Sequence, residues 1–415
     1  MANWRLGGVV SRTKEPLSKL PGLSTTGWLT KGVRGIGAAS LLSDAGHEVP
    51  TSLLPTFLTS TLGAPASALG LIEGISDGLS GVAKLGGGAL ADDPRRRRAT
   101  AVGGYATTAV LSALIGAVSA AWQAGLLRAG AWVSRGLRVP SRNALLADAV
   151  PASAYGRAYG FERAMDNLGA IIGPLLALAL VGLVGVRTAI LLSVVPALLA
   201  VAAIVYAIRH TAMPKRAERQ PIRLRIRPVM RGELGRLLGA IALFEVGNVA
   251  ATFFILRATD LLEPGRTTDS AAQIAIALYA LYNVAATLTS VPAGQLADRA
   301  SPRLVLTGGV AAFAVAYLGF AVTGASILVL AAAFIAAGVG IGAVETAEHS
   351  AVATLAGENL RGSSFGALAA IQSFGNVAAS VIAGLLYTTV SPEAAFLFPA
   401  TAMTLAAFSL LLMRR

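Results

Sequence analysis

Apolar runs long enough to cross a bilayer recur from residue 34 almost to the C-terminus, and they decide what this chain can fold into before any motif is considered. One of them, AIIGPLLALALVGLV at 170–184, holds no charged residue. About 20 such residues carry an α-helix across hydrocarbon, where only helices and closed barrels satisfy every backbone polar group internally. Charged residues make up 13% of the 415, against roughly 25% in soluble domains. The bilayer is therefore the solvent for most of the chain, which argues against a soluble enzyme. With no cysteine in the sequence, disulfides, thiolate metal sites and thiol nucleophiles are excluded as well.

Charge clusters and Gly/Pro punctuation divide the apolar sequence into twelve predicted spans: 34–61, 66–91, 101–122, 124–148, 157–184, 187–208, 237–261, 271–297, 303–324, 327–354, 362–388 and 393–412. The expected domains are a tail (1–33), a six-helix bundle (34–208), a basic linker (209–236) and a second six-helix bundle (237–415). An even number of spans puts both termini on one side, and the Lys/Arg bias makes that side the cytoplasm of a cell inner (plasma) membrane. Arg95 to Arg98, Arg157, Arg299, Arg303 and Arg361 fall in connections on that side, whereas the other side holds few basic residues, such as Arg187 and Arg266.

The net charge of +13, from 34 Lys+Arg against 21 Asp+Glu, thus reads as topology rather than affinity for nucleic acid. The tail (Arg5, Arg12, Lys14, Lys19, Lys31) lacks a small-residue cleavage site and is expected to stay attached. The linker RHTAMPKRAERQPIRLRIRPVMRGELGR has two readings: a segment lying along anionic lipids, or a solvated loop obeying the same bias.

The two halves repeat each other. GGALADDPRRR (87–97) corresponds to AGQLADRASPR (293–303), and GRAYGFERAMDNLGA (156–170) to GSSFGALAAIQSFGN (362–376). Asp92 and Asp298, and Gly160 and Gly366, are both separated by 206 residues. Paired six-span units provide a site between two bundles that can be exposed to either side in turn.

These features resemble the major facilitator superfamily over nearly the whole chain. The loop between its helices 2 and 3 has the form G-x-x-x-D-R-x-G-R-R, matched here by Gly88, Asp92, Arg96 and Arg97, with Asp93 in place of Arg and Arg95 in place of Gly. A second copy has Gly294, Asp298, Arg299 and Arg303, with Ser301-Pro302 where Gly-Arg is usual. A carboxylate beside arginines at a helix end can hold two halves together until movement breaks the contact; plain positive-inside charge is the alternative. Gly169, Gly173 and Pro174 look like the G-x-x-x-G-P element that the resemblance links to antiporter-type exporters. The resemblance also implies that helices 1, 4, 7 and 10 line a central cavity, and it links an arginine-bearing helix 4 to proton coupling.

Ionisable residues inside the spans mark that cavity, because charge in hydrocarbon is costly and faces water or a partner. Asp44, His47 and Glu48 share one helix face at i, i+3 and i+4, and Glu345, Glu348 and His349 repeat the arrangement in span ten. Glu245 and Asn248 echo Asp44 and His47; Glu73, Asp77 and Asp166 add further acids. In span four, Arg128, Arg135, Arg138 and Arg142 fall on one face. Arg135 and Arg138 are assigned to coupling, while Arg142 either joins them or snorkels to the surface.

The expected fold is an all-α membrane protein, two pseudo-symmetric bundles of six helices each. The expected function is proton-coupled efflux of a small molecule by a monomer without cofactor, catalytic residues or resident metal. The alternative is a divalent transition-metal exporter whose ligands are Asp44, His47, Glu48, Glu345, Glu348 and His349. A third reading has these groups only fixing helix packing. His47-Glu48 lacks the second histidine of an intramembrane metalloprotease, and no G-x-S-x-G stretch is present.

Overall fold

A computed structural model of the chain describes residues 27–212 and 221–412; the basic residues Arg5, Arg12, Lys14, Lys19, Arg414 and Arg415, and part of the linker, lie outside them. The described residues form helices and connections without a strand. The first half contains α1 (Lys31–Thr56), α2 (Ala66–Ala91), α3 (Pro94–Leu114), α4 (Ala121–Asp148), α5 (Tyr155–Leu192) and α6 (Val194–Arg209). A short α7 (Ile226–Val229) lies in the linker. The second half contains α8 (Gly232–Gly247), α9 (Thr252–Leu262), α10 (Thr268–Arg299), α11 (Pro302–Val322), α12 (Ile327–Leu355), α13 (Arg361–Thr389) and α14 (Pro392–Leu412).

Eight helical stretches among the described residues are long and apolar enough to cross a membrane. One of them, Ala152–Arg209, is 58 residues long and makes two passes. Inside α5 the backbone leaves the helical region at Gly185, whose φ of 77° suits glycine. Gly169 packs near Leu41 and Gly173 near Glu48, so α5 starts out parallel to α1, while Ser193 and Ala197 meet Gly46 and Ala207 meets Gly35, so α6 runs antiparallel to it. The chain therefore reverses at Gly185. The remaining passes are α1, α2 and α4, each of which carries ionisable residues.

Two predicted boundaries change. Span three begins at Pro94 rather than 101, so Arg95 to Arg98 sit in the first turn of α3 and not in a loop. Asp93 caps that turn, accepting from the Arg95 and Arg96 amides at 2.9 and 3.4 Å, with Pro94 at the first helical position. Span seven is not continuous, because α8 stops at Gly247 and α9 resumes at Thr252. Side chains satisfy the exposed backbone: Val249 N–H donates to the Tyr317 hydroxyl at 3.0 Å, Ala250 N–H to Ser380 Oγ at 3.1 Å, and Asn376 Nδ2 donates to the Asn248 carbonyl at 2.8 Å. Irregular backbone at membrane depth persists only where protein or a cavity supplies such partners.

Small residues set the packing, as expected where lipid gives helices no hydrophobic reason to associate. A Cβ at Gly169 would lie 2.5 Å from the Leu41 carbonyl and one at Gly173 2.3 Å from Glu48 Cβ, so the expected small-residue element is the seat of α1 on α5. Large apolar side chains point outward instead, with Leu328 82% and Leu183 80% exposed.

Candidate functional site

A cavity of about 420 Å³ lies between the two halves. His47 of α1, Arg135, Arg138 and Arg142 of α4, Glu245 and Asn248 at the α8 break, and Glu345 and His349 of α12 line it, together with Asp77 of α2 and Asp166 of α5. The implied set of helices 1, 4, 7 and 10 is thus incomplete. The helices at the boundary between the halves, α2, α5 and α13, also form the wall, through Lys84, Arg163, Gln372, Ser373 and Asn376.

The wall from the first half is an ionic lattice. Arg135 pairs with Asp44 at 3.1 Å. Arg142 reaches Glu162 at 2.8 Å and Asp166 at 3.2 Å, and donates to Ser40 Oγ at 3.0 Å. Arg163 binds the same two acids at 2.7 and 3.3 Å. Snorkelling is therefore overturned for Arg142: its side chain is 8% exposed, held by two carboxylates that it shares with Arg163. Arg138 donates to Ser43 Oγ at 2.6 Å and lies over the Tyr105 ring at 3.7 Å. Further along α4, Arg128 pairs with Glu73 at 2.9 Å and covers the Trp132 ring at 3.5 Å, and Trp132 Nε1 donates to Asp77 at 2.7 Å. Asp44, Glu48 and Glu73 are placed outside the cavity lining; Glu48 lies 3.9 Å from His47 Nε2.

The wall from the second half is acidic and mostly neutral in its partners. Glu245 accepts from Asn248 Nδ2 at 3.0 Å, and Glu348 accepts from Gln372. Glu348 is fully buried behind the lining, with its Oε2 unbonded. His349 Nδ1 lies 2.6 Å from the Glu345 carbonyl oxygen, and its ring packs against Tyr159 and Phe365 at 5.8 and 6.1 Å. Lys84 of α2 bonds Ser373 Oγ of α13, so one cation of the first half reaches across.

At the basic end the halves are clamped twice. Asp92 accepts from the Ser363 amide at 2.9 Å and its hydroxyl at 2.5 Å, at the N-terminus of α13. Asp298 accepts from the Gly156 and Arg157 amides at 2.6 and 3.1 Å and from Arg157 Nε at 2.7 Å, at the N-terminus of α5. Each carboxylate thus caps a helix of the opposite half, where its charge is favoured. Burial pushes the Asp92 carboxyl above its ordinary range, against the pull of the two Ser363 bonds. Gly88 abuts Gly362 and Gly294 abuts Gly156; a Cβ would lie 2.8 and 2.1 Å from the facing carbonyls. The two contacts are the same one repeated at the 206-residue offset.

The acids' partners across the halves are helix ends rather than the motif arginines. Arg97 binds Asp148, which also takes Arg361 of the other half at 3.0 Å. Arg303 pairs with Glu233 inside its own half, Arg96 lies 3.9 Å from Asp93, and Arg299 is exposed. Towards the opposite end α2 is uncovered, and a Cβ at Gly70, Gly74 or Gly78 would meet nothing within 4 Å.

The six ligands of the divalent-metal alternative do not converge: among the described residues no group of three or more His, Asp or Glu is placed to hold one ion. Asp44 is committed to Arg135 and Glu348 to Gln372. The sequence reading missed Lys84, Trp132, Glu162, Arg163 and Gln372. Glu162, Arg163 and Asp166 form a visible charge cluster in ERAMD, and Lys84 lies two turns from Asp77, so the signal existed. Trp132 and Gln372 carry none.

Comparison with known proteins agrees with this geometry. The Major Facilitator Superfamily model matches residues 36–265 and 237–415. An uncharacterised MFS-type transporter of Methanocaldococcus jannaschii is 28% identical over 89% of this chain and 92% of its own. The multidrug resistance protein MdtG of Dickeya zeae is 30% identical over 48% of each chain. The crystal structure of a bacterial homologue of the iron transporter ferroportin in its outward-facing state superposes with a TM-score of 0.73 at 17% identity, covering 92% of this chain and 98% of that one. Two repeated bundles around a charged chamber, together with these matches, show that the chain belongs to the Major Facilitator Superfamily and is a transporter, not an enzyme.

Proposed function

We propose that the protein exports a small polar, charged molecule in exchange for protons, by opening the central chamber first to one side of the membrane and then to the other. The observation that carries this reading is the chamber itself, walled by charged side chains from both halves and clamped at one end by two symmetry-related contacts. With the basic end in the cytoplasm, as the Lys/Arg bias favours, the chamber faces outward in this conformation. The outward-facing state of the ferroportin homologue supports that assignment, and the MdtG relative supports efflux.

Protons couple through the acids of the second half. Glu245, Glu345 and Glu348 face or back the chamber without an arginine of their own half, and proton occupancy of such a carboxyl follows its hydration as access alternates. Arg135 and Asp44, with Asp166 beside them, form the responsive pair on the other wall. The acid-rich second wall selects a cationic or zwitterionic cargo, whose cation competes with protons for Glu345. One chain encloses the whole chamber, so a monomer suffices.

Flux of a solute panel in proteoliposomes under an imposed pH gradient, with and without divalent metals, tests this. The expected result is gradient-driven flux that Glu345→Gln abolishes while exchange persists. Flux that requires a divalent metal and ignores the gradient would replace this reading with metal export.

A further inference from the structure

We propose that the apolar groove between the halves beside α7 is a binding site for an anionic phospholipid, one acyl chain lying in the groove and its phosphate held by linker arginines. The inference is independent of which solute the chamber carries. The groove is lined by Leu85 of α2, Ile226 and Met230 of the linker, Val246 of α8, and Ala370 and Phe374 of α13, and it encloses about 500 Å³. On α13 it extends from Ala367 to Ala378, roughly 16 Å along the axis at about 1.5 Å per residue. That length accommodates a large part of an acyl chain running from the basic end towards mid-membrane.

Three observations select this occupant. The groove presents almost no polar surface and opens beside helices whose outer faces are apolar, so hydrocarbon is its natural filling; an unfilled slot would forfeit dispersion contacts along its lining. In the linker sequence IRLRIRPVMR, Ile226 and Met230 line the groove, while Arg227 and Arg231, next to them in the chain, and Arg223 are exposed. Arg225 is engaged elsewhere, donating to the Asn359 carbonyl at 3.1 Å, which pins the linker beside α13. A neutral lipid would fill the slot but leave the exposed arginines unanswered; a phosphate at the headgroup level answers both.

The lining also comes from both halves, so a lipid seated here bridges α2 to α8 and α13 next to the Gly88–Gly362 contact. Such a lipid binds this clamped conformation in preference to one in which the halves part at the basic end.

Met230→Trp places a reporter at the mouth of the groove, at a side chain already 45% exposed, and Ile226→Trp, at 49%, is a second reporter should the first fail to fold. In phosphatidylcholine nanodiscs doped with brominated phosphatidylglycerol or brominated phosphatidylcholine, reporter quenching is read after subtracting the parent protein's four tryptophans. The phosphatidylglycerol probe is expected to quench at lower mole fraction, each arginine contributing up to about five-fold. Arg227→Gln with Arg231→Gln should bring the two probes together. Equal quenching by both probes in the parent reporter, or no quenching by either, overturns the site; a phosphatidylglycerol preference that survives the double substitution overturns its assignment to these arginines.

Discussion

Arg142 with Asp166 on one side of the chamber and Glu348 with Gln372 on the other occupy equivalent positions, each 206 residues apart. The fold puts the same two helices in contact at both places, but the first contact is an ion pair and the second a hydrogen bond between an acid and an amide. The lattice of the first half satisfies its charges internally, from Arg135–Asp44 through Arg142 and Arg163 to Glu162. In the second half, Glu245 and Glu348 have amides as hydrogen-bond partners. Repetition of a backbone thus leaves the two halves free to differ in their charges, with an arginine-paired lattice in one and amide-bonded acids in the other.

Breaking the lattice should have the largest effect. Arg142→Gln leaves Glu162 and Asp166 to share the single positive charge of Arg163 in a buried place and is expected to cost about 3–5 kcal/mol, visible as a large fall in thermal unfolding temperature. Glu348→Gln, its counterpart, should cost less than about 1.5 kcal/mol because an amide replaces a hydrogen-bonded acid, while abolishing gradient-driven flux. Equal destabilisation by the two would remove the contrast between the walls.

The clamps come next. Gly294→Ala drives a Cβ into the Gly156 carbonyl and should shift the protein away from this conformation by about 1–3 kcal/mol. The chain has no cysteine, so maleimide labelling of a single cysteine introduced on the inner face of α13 near Gly362 would report the opening; unchanged labelling would contradict it. Asp298→Asn should weaken the same clamp by about 1 kcal/mol, the worth of a helix cap. The smallest effect is expected from Arg299→Gln: the side chain is exposed, so stability should move by no more than about 0.5 kcal/mol.

Much of this was legible in the sequence for physical reasons. Spans are readable because hydrocarbon imposes a length and excludes charge, and the repeat is readable because both copies kept Asp92 and Asp298. Most of the ionisable cavity residues were legible too, His47, Arg135, Glu245 and Glu345 among them, since an ionisable group in an apolar run stands out. The break after Gly247 was not, because it depends on Tyr317, Ser380 and Asn376 arriving from distant helices to satisfy its backbone. Nor could the sequence place Asp44, Glu48, Glu73 and Glu348 outside the lining, for helical periodicity fixes a face but not the helix it turns toward.

The sequence by itself determined a helical membrane protein of two repeated halves with costly charges at chosen depths, because hydropathy and periodicity act locally. Only the tertiary structure decided which charges neutralise one another, that Arg142 is locked rather than free to reach the surface, and that the clamp acids cap helices of the opposite half. Those outcomes depend on distances of a few ångströms between groups on different helices, from Arg142 and Asp166, 24 residues apart, to Asp92 and Ser363, 271 apart. A one-dimensional pattern does not encode such distances.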